Sequence, residues 1–439
     1  MDNQKKISRR TALKYLGYGA LGVAALNIGL SCAGKGSLKS AKLSYRKDNA
    51  RKEKISMLGF GCMRFPMIKD AEGKNVVDFE KTSEMVHYAY DNGVNYFDTA
   101  YTYLNSQSEK VLGQIMKDFP RESVNIVTKM PTWLVTDLDK GKALFQEQLD
   151  NLQVEYFDFY LLHALSSGDE FDKAYKETGV LDYLKEEKAK GRIRRLGFSF
   201  HGNEAAMDYL LPQYDWDFVQ LQINYLDWEA QNAKYMYEEC AKRNIQVVAM
   251  EPLRGGVLAK LNKEAVDILH EADPNSTPAA WAFRYLASLP NMLTILSGMT
   301  ELKYVEENVR TFTDIKPLTE QEREVLARAL EAYKKITPVP CTGCAYCMPC
   351  NFGVEIPAVF AAYNDMVAAG QVPDLNGPRD AAFEQKKQNF LAYFNQKIGP
   401  DIHPDRCTRC GACKSRCPQE IDIPAELAKI NNLLRQIAD

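Results

Sequence analysis

The sequence lacks a surplus of either charge. Its 55 Lys and Arg stand against 58 Asp and Glu, so no broad field draws it to a phosphate backbone or an anionic membrane. Nucleic acid is therefore not an expected partner. Beyond residue 33 it also lacks any apolar run of the roughly 20 residues needed to span a bilayer, so the mature chain should carry no transmembrane span. A third absence concerns phosphate binding. Gly59 and Gly61 close an early apolar run, but no third glycine follows in step, which excludes the glycine-rich loop on which a doubly wound dinucleotide fold relies. No flavin motif is present either.

Composition is otherwise that of folded protein, with 46% hydrophobic and 26% charged residues. At 439 residues the chain is too long for one ordinary domain, and a barrel of about 250 residues plus a smaller unit would account for it.

The first 33 residues read as a targeting segment. Lys5 and Lys6 precede Ser8-Arg9-Arg10-Thr11-Ala12-Leu13-Lys14, and an apolar stretch follows from Tyr15 to Leu30. That stretch is too short and too rich in glycine for a spanning helix. The segment resembles a twin-arginine export signal, with Ala12 where a large apolar residue is usual. Ser31-Cys32-Ala33 can be a cleavage site, or Cys32 a lipidated cysteine, although Gly29 rather than Leu lies three residues before it. Periplasmic or lipid-anchored export is expected; a membrane-anchoring helix and a cytoplasmic location are the alternatives.

Eight short apolar runs follow, each succeeded by a loop and a helical pattern: Met57 to Gly61, Asn95 to Asp98, Asn125 to Lys129, Asp158 to His163, Ile193 to Phe200, Phe218 to Tyr225, Gln246 to Pro252 and Leu293 to Gly298. Eight such repeats predict a (β/α)8 barrel over residues 34–336. Asp78 is a candidate N-cap, Met85, Val86 and Ala89 form a buried stripe, and Gly93 and Gly191 sit where helices should end. In such a barrel chemistry gathers at the C-terminal strand ends. Asp98, Lys129 and His163 each fall there, with Tyr103 in the loop five residues past Asp98. Any one of them alone could be a satisfied structural residue; four at corresponding places point to a catalytic group.

Phe97-Asp98-Thr99-Ala100-Tyr101-Thr102-Tyr103, Ser108-Glu109, Leu112-Gly113, Val127-Thr128-Lys129, Leu161-Leu162-His163, Leu196-Gly197-Phe198-Ser199 and Glu307-Asn308 together resemble the aldo-keto reductases over about residues 40 to 315. The resemblance implies carbonyl reduction, or alcohol oxidation, with a nicotinamide bound across the barrel mouth. Tyr103 would be the acid, its phenol lowered toward working pH by Lys129, which Asp98 holds; His163 would position the carbonyl oxygen. The family's nicotinamide-amide positions map onto Ser199 and Gln220, while Phe200 stands where Asn is usual and Met250 where many relatives stack an aromatic ring. Asn308 completes the cofactor set. Gly298 and Tyr304 replace the Lys and Arg that some relatives offer a 2'-phosphate, leaving Arg254 and Lys303 as candidates and NADP(H) or NAD(H) undecided.

Eight of the 11 cysteines lie in the last 99 residues. They form Cys341-x2-Cys344-x2-Cys347-x2-Cys350 and Cys407-x2-Cys410-x2-Cys413-x3-Cys417-Pro418, and the second run has the bacterial ferredoxin spacing for a 4Fe-4S cluster. Paired zinc sites or disulfides are the competing readings. In two-cluster ferredoxins the fourth cysteine of each run crosses over, which assigns Cys341, Cys344, Cys347 and Cys417 to one cluster and Cys407, Cys410, Cys413 and Cys350 to the other. The first run departs from pattern at Cys350-Asn351. The 56 intervening residues are patterned as helix over Pro357 to Ala369 and Ala381 to Gln396, so 337–439 should be a mainly helical ferredoxin-like domain, bounded near Thr337-Pro338-Val339-Pro340. Cys62 and Cys240 read as packing residues.

An NAD(P)-dependent oxidoreductase acting on a small carbonyl or alcohol is the leading function, with a redox partner protein as a further candidate. The alternative is a non-catalytic redox-sensing or electron-transfer subunit that uses the barrel to bind nucleotide. Hydride carries two electrons and each cluster takes one, so the sequence leaves the clusters' part in turnover open.

Overall fold

The computed structural model describes residues 42–336 and 338–438; the expected targeting segment and the junction residue Thr337 lie outside them. Eight parallel strands close a barrel in chain order: β1 (Leu58–Gly61), β2 (Tyr96–Asp98), β3 (Asn125–Pro131), β4 (Phe159–Leu165), β5 (Leu196–Phe200), β6 (Phe218–Gln222), β7 (Gln246–Met250) and β8 (Met292–Gly298). Both faces of these strands are covered, which is why they appear in the sequence as near-continuous apolar runs rather than alternating ones. Tyr96, Val127, Phe159, Leu161, Phe218, Val248 and Leu293 fill the barrel axis, while Phe97, Ile126, Tyr160 and Leu162 pack outward on the helices.

β3 and β4 run two residues past Lys129 and His163, pairing Met130 with Leu162 and Pro131 with His163. Both functional side chains therefore rise from within strands rather than from their last residues. Asp78 caps the helix Phe79–Asp91 by accepting from the Lys81 amide. At Gly113 a Cβ would meet the Asn151 carbonyl oxygen at 2.6 Å, so this glycine permits the contact between helices Ser108–Met116 and Leu138–Leu152.

The end of the barrel away from the mouth is closed by an antiparallel hairpin, Tyr45–Lys47 with Lys54–Ser56, whose Ile55 enters the axis. Arg195, almost wholly buried, ties that hairpin down through Asp48 at 2.9 and 3.0 Å and Glu53 at 2.6 Å. Such a buried charge is tolerated because every partner is in place. The chemistry is left to the opposite end.

Helices Ile356–Ala368, Ala381–Lys397 and Ile423–Ala438 form the tail. They bury Phe360, Phe390, Phe394, Ile430 and Ile437 in a core of their own, and the cysteine loops pack on that core.

Candidate active site

Residues after β2 are pinned before they can present Tyr103. The Thr99 and Ser108 hydroxyls pair at 2.8 Å, and Ser108 also donates to the Cys62 carbonyl at 2.9 Å. Buried Glu109 accepts from Thr128 at 2.6 Å and Gln148 at 2.8 Å. Between these anchors Leu104, Asn105 and Ser106 all take positive φ, 54°, 55° and 61°. Three consecutive non-glycine residues in that region persist only where the surroundings over-determine them. The sharp turn holds the Tyr103 ring over the barrel axis.

Below it, Lys129 Nζ donates to Asp98 Oδ1 and to the Thr99 carbonyl, both at 2.7 Å. The ammonium lies 4.7 Å from the Tyr103 ring centroid, and the His163 ring stands edge-on to Tyr103 at 5.8 Å. All four side chains are at most 9% exposed. Burial pushes the Asp98 carboxyl up and the Lys129 ammonium down, and their mutual attraction opposes both shifts. Burial, with Lys129 and His201 nearby, holds His163 well below its ordinary value, so its imidazole is neutral.

One expectation is corrected here. Tyr103 is not lowered by Lys129: burial, then the charges of Asp98 and Glu251, push its phenol well up. The ammonium sits under the ring face rather than on the hydroxyl, and so does little for the phenolate. The Tyr103 hydroxyl is accordingly a firmly protonated donor, with no hydrogen-bond partner among the described residues.

On the adjoining strands, Ser199 and Gln220 are register neighbours. Ser199 Oγ accepts from the Ala164 amide at 2.7 Å. Gln220 Nε2 lies 3.6 Å from Met250 Sδ, while its Oε1 is buried without a partner. An orphaned amide oxygen at a barrel mouth suits the N–H of a carboxamide such as nicotinamide carries. Phe200 offers no such group and packs on Phe198. Asn308 donates to Ser297 at 3.0 Å, tying its helix to β8. Arg254 turns inward to buried Asp227 at 3.3 Å, and Lys303 pairs with Glu301 at 2.8 Å. Both candidate phosphate partners thus already carry an acidic neighbour.

In the tail, Cys341, Cys344, Cys347 and Cys417 line one cavity with Ile356, Phe360 and Ile423. Burial, then the neighbouring Cys407, Cys410 and Cys350, push the Cys413 thiol up, so the last cysteine of each run sits with the other run's first three. Among the described residues no three Cys, His, Asp or Glu side chains converge as a single metal ion would require. Cys341, Cys344, Cys347 and Cys417 instead line one shared space. Four thiolates could share that space only around a cationic core, which fits an iron-sulfur cube.

The first cysteine loop also reaches the barrel mouth. Tyr346 Oη lies 3.2 Å from His163 Nε2. Trp133 stands 5.2 Å from the His163 ring and 6.3 Å from that of Tyr346. Arg64 donates to the Thr342 carbonyl at 2.5 Å, and Gln419 exchanges hydrogen bonds with Gln222 at 2.7 and 3.0 Å. None of Arg64, Trp133, Gln222 and Tyr346 was legible as a site residue. A tyrosine between two cluster cysteines is a visible oddity, but nothing in sequence links it to a histidine 183 positions away.

The family model described as "Aldo/keto reductase family" matches residues 57–331, and that described as "4Fe-4S dicluster domain" matches residues 340–421. The NADH-specific methylglyoxal reductase of Escherichia coli (strain K12) is 28% identical over 265 residues, covering 50% of this chain and 79% of its own. L-galactose dehydrogenase of Arabidopsis thaliana is 23% identical over 310 residues, covering 65% and 93%. Among solved structures, the holo form of an aldo-keto reductase from Bacillus halodurans aligns with a TM-score of 0.55 at 21% identity, over 65% of this chain and 96% of that one. One from Klebsiella pneumoniae, in complex with NADP and acetate, gives 0.52 at 21% identity over 65% and 93%. At these identities the structural likeness speaks for the fold.

Proposed function

The chain belongs to the aldo/keto reductase family, and from that premise we propose that it reduces a small carbonyl compound, or oxidises the matching alcohol, with Tyr103 as the acid and base. The observation that carries this reading is the buried Lys129–Asp98 pair at 2.7 Å beneath a phenol that has a proton to give and no protein acceptor for it. Ser199, Gln220 and Met250 would hold a reduced nicotinamide, which when bound would supply hydride for the carbonyl carbon. Tyr103 donates its proton to the oxygen on which charge develops, while Lys129, under the ring face at 4.7 Å, holds that ring in place. Neutral His163 orients that oxygen. Asp98 balances the Lys129 charge, which would otherwise stand alone in a dry site.

We assign Cys341, Cys344, Cys347 and Cys417 to one 4Fe-4S cluster and Cys350, Cys407, Cys410 and Cys413 to a second. When bound, each cube would exchange one electron at a time. Arg254 is committed to buried Asp227, whereas Lys303 is held only in an exposed pair with Glu301 and stays within reach of a 2'-phosphate. We also propose twin-arginine export, which suits a protein folded around its clusters before crossing a membrane; unchanged fractionation of Arg9→Lys/Arg10→Lys would contradict it.

The test is nucleotide oxidation by anaerobically purified, cluster-replete protein across a panel of carbonyl compounds, with methylglyoxal, named in one relative, as the first. NADH and NADPH are compared, with and without a one-electron acceptor. Turnover that needs the acceptor and no carbonyl would favour the electron-transfer alternative.

A further inference from the structure

Two tyrosine rings stand edge-on to His163, and the reading above uses only one. Tyr346 belongs to the tail, between Cys344 and Cys347, yet its Oη is 3.2 Å from His163 Nε2 and its ring stands edge-on to the imidazole at 6.4 Å. The Tyr103 ring stands edge-on to the same imidazole at 5.8 Å. His163 Nδ1 is buried and has no hydrogen-bond partner. In the tautomer protonated on Nε2, the imidazole proton is donated to Tyr346 Oη. Having accepted that bond, Tyr346 keeps its own O–H, which has no acceptor among the described residues. Tyr103 is in the same position. Two unspent donors on one histidine's rim describe a seat for one oxygen atom.

We propose that Tyr346 is a substrate-binding residue, and that the carbonyl oxygen is held between the hydroxyls of Tyr103 and Tyr346, with His163 acting one hydrogen bond behind. The inference rests on the tetrad reading and deepens it. The seat is completed by the iron-sulfur domain, so the barrel alone lacks part of its oxygen site. Trp133, half-exposed and 6.3 Å from the Tyr346 ring, supplies a flat apolar wall beside the seat, which suits a small, planar carbonyl. Because Tyr346 lies between Cys344 and Cys347 of the first cluster set, the loop's position depends on that cluster being present. Substrate affinity should then fall when the first cluster is lost, with no electron passing between cluster and substrate.

Crystals of the full-length, cluster-replete protein grown with NADP and acetate test the seat directly. An acetate oxygen within about 2.6–3.0 Å of both phenol oxygens is expected. Acetate bonded to His163 with Tyr346 displaced, acetate elsewhere, or no acetate at the mouth would overturn the inference. In solution, Tyr346→Phe should keep wild-type iron, sulfide and NADPH affinity while kcat/KM for methylglyoxal falls about 10- to 100-fold. A fall of less than twofold would also overturn it. Tyr103→Phe separates the two readings: if it stays active, the tetrad assignment fails, whereas an inactive Tyr103→Phe beside an unimpaired Tyr346→Phe removes only the second donor.

Discussion

A Cβ on Gly255 would lie 2.0 Å from the carbonyl oxygen of Thr342. The loop after β7 and the first cysteine loop thus touch backbone to backbone, at a position where φ is +67°. Glu251 closes the same turn by accepting from the Gly255 amide at 2.5 Å. Only glycine meets both demands. Gly255→Ala should lift the cysteine loop from the mouth, lower stability by about 1–3 kcal/mol and speed iron loss in air. Thermal unfolding and iron retention matching wild type would show that the contact does not hold the loop.

The Asp98–Lys129 pair predicts strong non-additivity. Asp98→Asn leaves a buried ammonium unpaired and Lys129→Met a buried carboxylate, each costing about 3–5 kcal/mol. Asp98→Leu with Lys129→Met removes both charges and should be more stable than either single variant, yet remain inactive. Denaturant unfolding of the three proteins decides this. Additive losses would mean the two charges do not depend on each other.

With His163 held well below its usual range and Tyr103 well above, neither group titrates between pH 6.5 and 9 as ordinary His and Tyr ranges would otherwise allow. Carbonyl reduction should be level across about pH 6.5–9. Stability should not be level on the acid side. The unfolded chain protonates its histidines near 6.5, whereas His201 in the fold waits until about 4, so protons favour the unfolded state and the Tm falls as pH drops through that window. A Tm that rises below pH 6.5 would contradict the burial of these imidazoles.

Crossed ligation of the cysteines makes a demand that independent loops would not. Cys417→Ala should damage the cluster of Cys341, Cys344 and Cys347, and Cys350→Ala the other. Low-temperature paramagnetic resonance with iron and sulfide analysis reads the two separately, against about eight irons per wild-type chain for two cubes. Zinc in place of acid-labile sulfide would remove the iron-sulfur assignment and leave the barrel's untouched.

The barrel was legible because every strand is buried on both faces, so that runs such as Phe159 to Leu162 carry no polar interruption. Asp98, Tyr103, Lys129 and His163 were legible because the motif around them also fixes the pinning residues Thr99, Ser108 and Glu109. What failed to show in sequence depends on long-range pairing. Arg195 reads as one more surface cation until Asp48 and Glu53 close on it. Arg254 offers itself to a phosphate until Asp227 takes its charge. The lowering of Tyr103 was inferred from charge type alone, and the geometry reverses it because the ammonium lies under the ring and burial dominates.

The central claim is that Tyr103 gives the proton. Tyr103→Phe deletes one hydroxyl and little packing, so single-turnover oxidation of bound reduced nicotinamide by a carbonyl compound that wild type reduces should slow at least about 100-fold. Nucleotide affinity, measured by fluorescence titration on the same protein, should stay within about twofold. Retention of most of the wild-type rate at unchanged affinity would contradict the account.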